Sequence, residues 1–537
     1  MTAVLKCRIK PYIQPFERKL ALAELSSLAR SAPRAAGPAA EAIEFEVQCD
    51  APADALAEKL AYWEYVSDSH PRVTVQALRE ATVNVVRNGV PLEKIAELLP
   101  FAGGEVPLPN RRCLRYGAHG IHEYRGKFFP QLVRSLINIA GVPAGGVVAD
   151  PLAGSGTTVV ETVLAGGRGI GLDMNPLSVL IGRTKCALLA VPPKRLEAAY
   201  RQTRERLLAA TPARVASRLP YFASLPDRDQ EYLGGWFSEH VLADLDQIAR
   251  VIGEIEDGPV RDLMRVSLSN IIRRVSWQKD DDLRVRKEIR ADDDVDPVKE
   301  FLDELGSSVR TVLAFLYQNG ASGLGPFAIE EGNACLLDVL WSDWRGRVDA
   351  VITSPPYATA LPYLDTDRLS LCYLGLLTRP DHRKRDLQMI GNREVTEKQR
   401  RLQWEHFQSR KELLPAAVVG LIEKVHRLNS AADVGFRRKN LPTLLAKYFF
   451  DMRDVFSGVA YILKPGAPAY VVVGNNHTVA GGERVEIETA NLLIDVAQAA
   501  GLCAEDHIPM EMLVSRDIFK KNAVASEVIL AFRRPPQ

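Results

Sequence analysis

Short apolar runs alternate with longer amphipathic stretches over most of this chain. Val147-Val148-Ala149-Asp150, Gly167-Arg168-Gly169-Ile170-Gly171-Leu172-Asp173, Val348-Asp349-Ala350-Val351-Ile352 and Ala469-Tyr470-Val471-Val472-Val473-Gly474 have the length and apolar content of buried strands. Residues 527–532 form a last strand candidate. In 159–165, 195–208, 239–255, 298–317, 448–463 and 486–500 apolar positions instead recur every three or four residues, which predicts helices. The 448–463 helix is closed by Lys464-Pro465-Gly466, with glycine as the stop. Strands alternating with helices predict an α/β fold built on a doubly wound sheet, whose ligands bind at the carboxyl ends of the strands.

The stretch 191–325 is mostly helical and reads as an insertion, so the sheet domain is expected from 116–190 and 326–537. Residues 1–115 read as a separate accessory region. There, 6–11 and 44–47 look like strands, 14–32 and 52–66 like helices, and the Pro-, Ala- and Gly-rich 31–40 like a linker. Residues 74–87 and 91–99 predict two short helices across Asn88-Gly89. Helix-turn-helix DNA readers and many helical adaptors share that pattern.

Composition narrows the class. A chain of 537 residues exceeds what one core usually holds, and 47% apolar with 25% charged residues is ordinary for a soluble globular protein. No run of 18 apolar residues predicts a membrane span, and Met1-Thr2-Ala3-Val4-Leu5-Lys6 lacks the apolar core of a secretory signal. The seven cysteines form no Cys-x-x-Cys pair. Neither zinc nor a disulfide framework is supported, and a reducing cytoplasm is expected.

Candidate chemistry sits at two strand ends. After 147–150 comes Pro151-Leu152-Ala153-Gly154-Ser155-Gly156-Thr157-Thr158 and then a helix. The glycines let backbone pass close to a ligand, and the helix N-terminus offers donors. No Gly-Lys-Ser/Thr follows, so the phosphate-cradling reading fails. The next strand ends in Asp173, about 20 residues on, where a ribose-binding acid belongs; capping of the helix after Asn175 is the other reading. The second strand end is Thr353-Ser354-Pro355-Pro356-Tyr357. Its prolines fix φ and offer no N–H, Ser354 adds a hydroxyl acceptor, and Tyr357 adds a flat face. Taken alone it reads equally well as a Pro-Pro turn. Together with the first turn it suits a planar base whose exocyclic amine must be held.

These pieces resemble the DNA cytosine-N4 and adenine-N6 amino-methyltransferases, which use S-adenosylmethionine. The resemblance covers roughly 116–190 and 330–537 and implies a Rossmann-like methyltransferase sheet. It implies that Asp150, Pro151, Ala153, Gly154, Ser155, Gly156 and Thr157 surround the cofactor, with Asp173 on its ribose. His122-Glu123-Tyr124-Arg125-Gly126-Lys127-Phe128-Phe129-Pro130 is similar to the family's stretch that packs against the cofactor, which brings in Lys127 and Phe128. Gly332-Asn333-Ala334 is similar to the loop near the adenine; the family often has an acid where Asn333 stands, with Asp338 as a substitute. Ser354, Pro355, Pro356 and Tyr357 are similar to its catalytic tetrapeptide, and Ser-Pro-Pro-Tyr leans toward cytosine N4. No metal is required. No Pro-Cys dipeptide occurs, so the covalent route of cytosine-C5 enzymes is excluded.

The expected reaction is methyl transfer to the amine of a base flipped out of double-stranded DNA, with Ser354 Oγ and the Pro355 carbonyl accepting the amine hydrogens and Tyr357 stacking on the ring. Adenine N6, the guanine N2 of tRNA and a catalytically inactive DNA-binding subunit are the alternatives. A cognate restriction endonuclease would be a natural partner, and a bacterial or archaeal, nucleoid-associated cytoplasmic location the natural home. The net charge of +1 conceals a basic segment. Residues 379–447 carry 16 Lys and Arg against 8 Asp and Glu. Within a DNA-binding segment set at 358–447, Arg383, Lys384, Arg385, Arg437 and Arg438 are the phosphate candidates, a solvated charged face being the plain alternative. A second basic zone, 261–290, is balanced by nearby aspartates.

Overall fold

The computed structural model describes residues 3–37, 42–101, 106–124, 128–209, 219–279, 286–289, 295–358, 363–391, 395–511 and 526–536. Two sheets organise these residues. The N-terminal one contains β1 (Ala3–Ile9), β2 (Arg34–Ala35), β3 (Glu44–Cys49), β4 (Trp63–Ser67) and β5 (Pro71–Val73), antiparallel in the order β2-β3-β1-β4-β5. The large sheet contains β6 (Val147–Asp150), β7 (Arg168–Asp173), β8 (Phe327–Glu331), β9 (Ala350–Thr353) and β10 (Pro468–Gly474), all parallel. A small hairpin follows, β11 (Asn476–Ala480) with β12 (Glu483–Ile487). Then β13 (Cys503–Glu511) and β14 (Ser526–Arg533) complete the large sheet as an antiparallel edge, in the order β13-β14-β10-β9-β6-β7-β8. The chain is therefore α/β with a doubly wound sheet.

Successive side chains of a strand point to opposite faces, and the two faces here have different cover. Ala149, Val351, Val471, Val473 and Leu530 pack under helices Phe436–Ile462 and Thr489–Ala499. Val148, Ala350, Ile352, Tyr470, Val472 and Ile529 pack with Leu132, Val133 and Leu136 of helix Pro130–Ile139 and with Leu5, Phe16, Leu20, Leu25, Phe45 and Trp63 of the N-terminal region. Side chains between Leu5 and Val66 thus share a core with the large sheet, while Val85, Ile95 and Leu99 pack on Ala314 of the insertion. Polar groups reinforce the join. Lys10 Nζ meets Glu80 at 2.6 Å with both buried, and Gln131 Nε2 donates to the same carboxylate at 3.0 Å. Glu161, wholly buried on helix Thr157–Leu164, accepts the Tyr116 hydroxyl at 2.6 Å and lies 2.8 Å from His119 Nε2. A third core joins helices Thr157–Leu164 and Pro176–Leu188 to the insertion helices between Pro193 and Asn319.

Several local expectations change. Residues 52–66 are not one helix: Ala53–Lys59 is helical, Leu60 turns extended (ψ 131°), and β4 follows. Trp63-Glu64-Tyr65-Val66 prefers a pleated, half-buried surface, and that outweighs the helical spacing. A helix-turn-helix does not form. The second helix is only Ile95–Leu98, and Ile95 packs inward with Val85, Leu99 and Ala314. The apolar pattern does not predict β8, β11, β12 or β13, and the last helix starts at Thr489 rather than 486. β8 carries acidic residues at an exposed end, and most β13 side chains face solvent, so neither shows an apolar run.

Candidate active site

β6 ends at Asp150, and the chain turns through residues 151–156 into helix Thr157–Leu164. Glycine is needed twice in this turn. Gly154 has φ +48° and Gly156 φ +78°, where other residues are strained. A Cβ on Gly154 would lie 3.0 Å from the Tyr124 ring, and one on Gly156 would lie 2.8 Å from Gly182 Cα. Asp173, at the end of β7, latches the turn: its carboxylate accepts the Gly154 N–H and the Asn175 N–H, each at 2.8 Å. The following helix is capped by Asn175, which accepts the Leu177 N–H at 3.0 Å, and not by Asp173.

Asp150 is buried, accepts the Leu152 N–H at 3.1 Å and takes a hydrogen bond of 2.7 Å from Thr353 Oγ1. That last bond joins the first strand-end turn to the second. Thr158 Oγ1, which donates to the Ile352 carbonyl at 3.1 Å, is another tie. Burial pushes Asp150 up to about 6 against the pull of its hydroxyl and amide donors, and the charge of Asp173 adds to the rise. Burial likewise raises Asp173 to about 6, with the N–H groups of Asn175, Gly154 and Met174 pulling it down.

The second turn follows β9. Ser354 Oγ donates to the Val472 carbonyl of β10 at 2.9 Å, so its lone pairs remain to accept. Ser354 and Pro356 line the same cleft as the first turn, whereas Pro355 is buried. Tyr357 is half-buried, and its hydroxyl donates to Glu527 of β14.

The cleft encloses about 820 Å³, mouth included, within the usual range for a small-molecule site. Asp150, Pro151, Ala153, Gly154, Ser155, Thr157, Asp173, Asn333 and Phe128 line it. Gly156 instead starts the helix behind the wall. Lys127 lies outside the described residues. Asn333 uses its side-chain oxygen to accept the Cys335 N–H at 3.0 Å, while Asp338 is exposed, is not among the lining residues and faces Asp454. Asp338 therefore does not substitute for an acid at Asn333. The sequence alone does not point to Tyr124, Met174, Asn175, Met389 or Ile390 as lining residues. Tyr124 stands inside the family-like stretch 122–130, which was the available signal. Met389 and Ile390 carry no signal, because they follow a basic helix and reach the cleft only through the tertiary fold.

None of the described lining residues is Lys or Arg, whereas two are buried or part-buried carboxylates. Such a wall repels phosphates and suits a ligand with a positive charge and hydroxyl donors. S-Adenosylmethionine, with its sulfonium, ammonium and ribose, fits that donor set. Among the described residues no group of three or more His, Cys, Asp or Glu is placed to hold a metal ion. None of the described helices is long and apolar enough to cross a membrane.

The basic candidates divide. Arg383 and Lys384 are exposed on helix Arg379–Gln388, and Arg437 and Arg438 are exposed at the start of helix Phe436–Ile462. Lys384 pairs with Asp381 at 3.0 Å. Arg385 turns the other way: it donates to the Met174 carbonyl at 2.8 Å and meets Glu331 at 2.5 Å, clamping the cleft rim instead of facing a phosphate. Lys447 Nζ similarly holds the Met389 carbonyl at 3.0 Å. In the second basic zone Arg265 and Arg274 pair with Asp262, Glu300 and Glu304.

No family model matches the chain. It is 24% identical over 415 residues to the type II methyltransferase M.BsoBI of Geobacillus stearothermophilus, covering 71% of this chain and 79% of that protein. It is 25% identical over 269 residues to the type II methyltransferase M.MvaI of Kocuria varians, spanning 58% of that protein's length. A solved rRNA methyltransferase of Streptomyces viridochromogenes aligns over 77% of this chain and 88% of its own, at 11% identity and a TM-score of 0.28. The type II likeness extends over most of one relative's length, on a chain whose two strand-end turns are hydrogen-bonded around one cleft. By sequence the chain is thus similar to type II methyltransferases.

Proposed function

We propose that the protein methylates the exocyclic amine of a base flipped out of double-stranded DNA, with cytosine N4 as the target atom. One observation carries the reading. The hydroxyl hydrogen of Ser354 is committed to the Val472 carbonyl, so toward the cleft Ser354 can act as an acceptor, in the same cleft whose other end fits the methyl donor.

The exocyclic amine of cytosine is a poor nucleophile because its lone pair is delocalised into the ring. Ser354 Oγ and the Pro355 carbonyl, accepting its two hydrogens, favour a pyramidal nitrogen with a localised lone pair. Tyr357 stacks on the flipped ring. Asp173 accepts the ribose hydroxyls, the Gly154 turn admits the methionine portion, and Phe128, Tyr124 and Asn333 border the remaining space. Bound S-adenosylmethionine supplies the electrophilic methyl. Arg383, Lys384, Arg437 and Arg438 contact phosphates and carry the salt-dependent part of the affinity. Ser-Pro-Pro-Tyr supports cytosine N4 over adenine N6 by resemblance.

The test is radiolabelled methyl transfer to unmethylated duplex DNA, with tRNA as the competing substrate, followed by digestion to nucleosides. N4-methylcytosine as the labelled product supports the proposal. N6-methyladenine corrects the base, and labelled tRNA without labelled DNA overturns the reading.

A further inference from the structure

We propose that Glu527 is the positioning residue for Tyr357, fixing the aromatic platform on which the target base stacks. The inference rests on the reading of Tyr357 as that platform. Glu527 belongs to β14, where it pairs in register with Gly474 at the carboxyl end of β10. Its side chain is therefore delivered to the cleft end of the sheet from a strand that runs the opposite way. It accepts a hydrogen bond from the Tyr357 hydroxyl and is itself half-buried. Burial pushes the Glu527 carboxyl above the ordinary value, and the Tyr357 hydroxyl pulls it back. A carboxylate withdrawn from water needs a donor, and Tyr357 supplies one.

The consequence falls on the ring. At its Cα end Tyr357 leaves a backbone stiffened by Pro355 and Pro356, whose φ angles are fixed. At its far end the hydroxyl is held by Glu527. A side chain anchored at both ends has lost its rotamer freedom before a base arrives, so stacking need not order it. The phenolic O–H prefers the plane of the ring, so the bond biases the plane as well as the axis. Glu527 acts through Tyr357 and is assigned no contact with the reacting atoms.

The experiment is a double-mutant cycle on methylation of unmethylated bacteriophage DNA, with cofactor affinity measured separately by calorimetry. Glu527→Ala should lower kcat/KM roughly tenfold, the scale of one hydrogen bond to a charged group. Tyr357→Phe should lose a similar factor, and the double variant should be no worse than either single one. Glu527→Gln keeps an acceptor and should recover most of the loss, and cofactor affinity should be unchanged throughout. Factors that multiply in the double variant, or a Gln variant no better than Ala, would overturn the inference. Should Glu527→Ala fail to fold, Glu527→Gln still decides: it should be nearly normal alone and without further effect on the Tyr357→Phe background, and a Gln variant as slow as Tyr357→Phe overturns the inference. Tyr357→Ala separates the two levels. If it methylates normally, the platform reading itself fails; if it is crippled while Tyr357→Phe and Glu527→Ala are normal, only the role of Glu527 fails.

Discussion

The two halves of the cleft are held in opposite ways. On the cofactor side, Asp150 holds Leu152 two residues on, and Asp173 holds Asn175 two residues on and Gly154 nineteen residues back. On the base side, Ser354 is bonded to Val472, 118 residues away, and Tyr357 to Glu527, 170 residues away. Local bonds close short loops and exist once a strand, a turn and a helix form. Remote bonds exist only after β10 and β14 have joined β9. The turn at 150–156 is thus shaped mainly within a segment and then tied to the second turn by the remote Thr353–Asp150 and Thr158–Ile352 bonds, whereas the bonds of Ser354 and Tyr357 are all made by the assembled sheet.

The sharpest way to break this comparison is Gly154→Val. Its φ of +48° and the Tyr124 ring 3.0 Å from a Cβ leave no room for a branched side chain. Cofactor binding should disappear by calorimetry while circular dichroism stays native and DNA binding survives. Loss of DNA binding as well would show that the halves are not separable. Ser354→Ala attacks the other half and should lower kcat about 10²- to 10³-fold, as removal of one transition-state hydrogen bond does. Cofactor affinity should hold. A large loss of cofactor affinity would mean that Ser354 serves the pocket instead.

Acidity sharpens the contrast further. Asp173 sits at about 6 because burial disfavours its charge, and ribose hydroxyls bind best to the ionised form. Cofactor affinity should be full above that value and fall about tenfold for each pH unit below it. Ligand-free stability runs the other way. With folded values raised above those of the unfolded chain, Asp150 and Asp173 favour the protonated folded state. Their stabilising contribution is full below the unfolded value of about 4 and is lost as pH rises through about 6. Thermal melts of Asp173→Asn at pH 4.5 and 7.5 should show a smaller drop than the parent protein; an equal drop would remove Asp173 from this account. The smallest effect is expected at the surface. Arg383→Ala with Lys384→Ala should flatten the slope of log affinity against log salt by roughly 0.9 for each phosphate no longer neutralised, leaving sequence choice intact. An unchanged slope makes both residues a solvated face.

The same local–remote division explains what the sequence disclosed. The strand, glycine turn and helix at 147–164 are adjacent in the chain, so their joint meaning is readable without a fold. The Ser-Pro-Pro-Tyr turn is readable as a motif, yet nothing near it announces Glu527 or Val472, because sheet order alone makes them neighbours. Arg385 shows the limit of charge counting. Its neighbours Arg383 and Lys384 face solvent, but helical spacing turns Arg385 back to Glu331 and Met174. Strands such as β8 and β13 escaped because edge position frees their residues from apolar alternation.

The core shared between side chains from Leu5 to Val66 and one face of the large sheet bears on how such a chain can be rebuilt. Leu5, Phe16, Phe45 and Trp63 are buried in the same core as Val148, Ile352, Val472 and Ile529, so the N-terminal region is structural cladding and not an exchangeable module. Grafting a foreign segment in its place would require repacking that whole face to interior density, where a single methylene is felt. The same holds elsewhere: the insertion helices share a core with helices Thr157–Leu164 and Pro176–Leu188, and Phe407, Val418 and Ile422 are buried with Ala149 and Val351, so each exchange would reopen a face of the sheet.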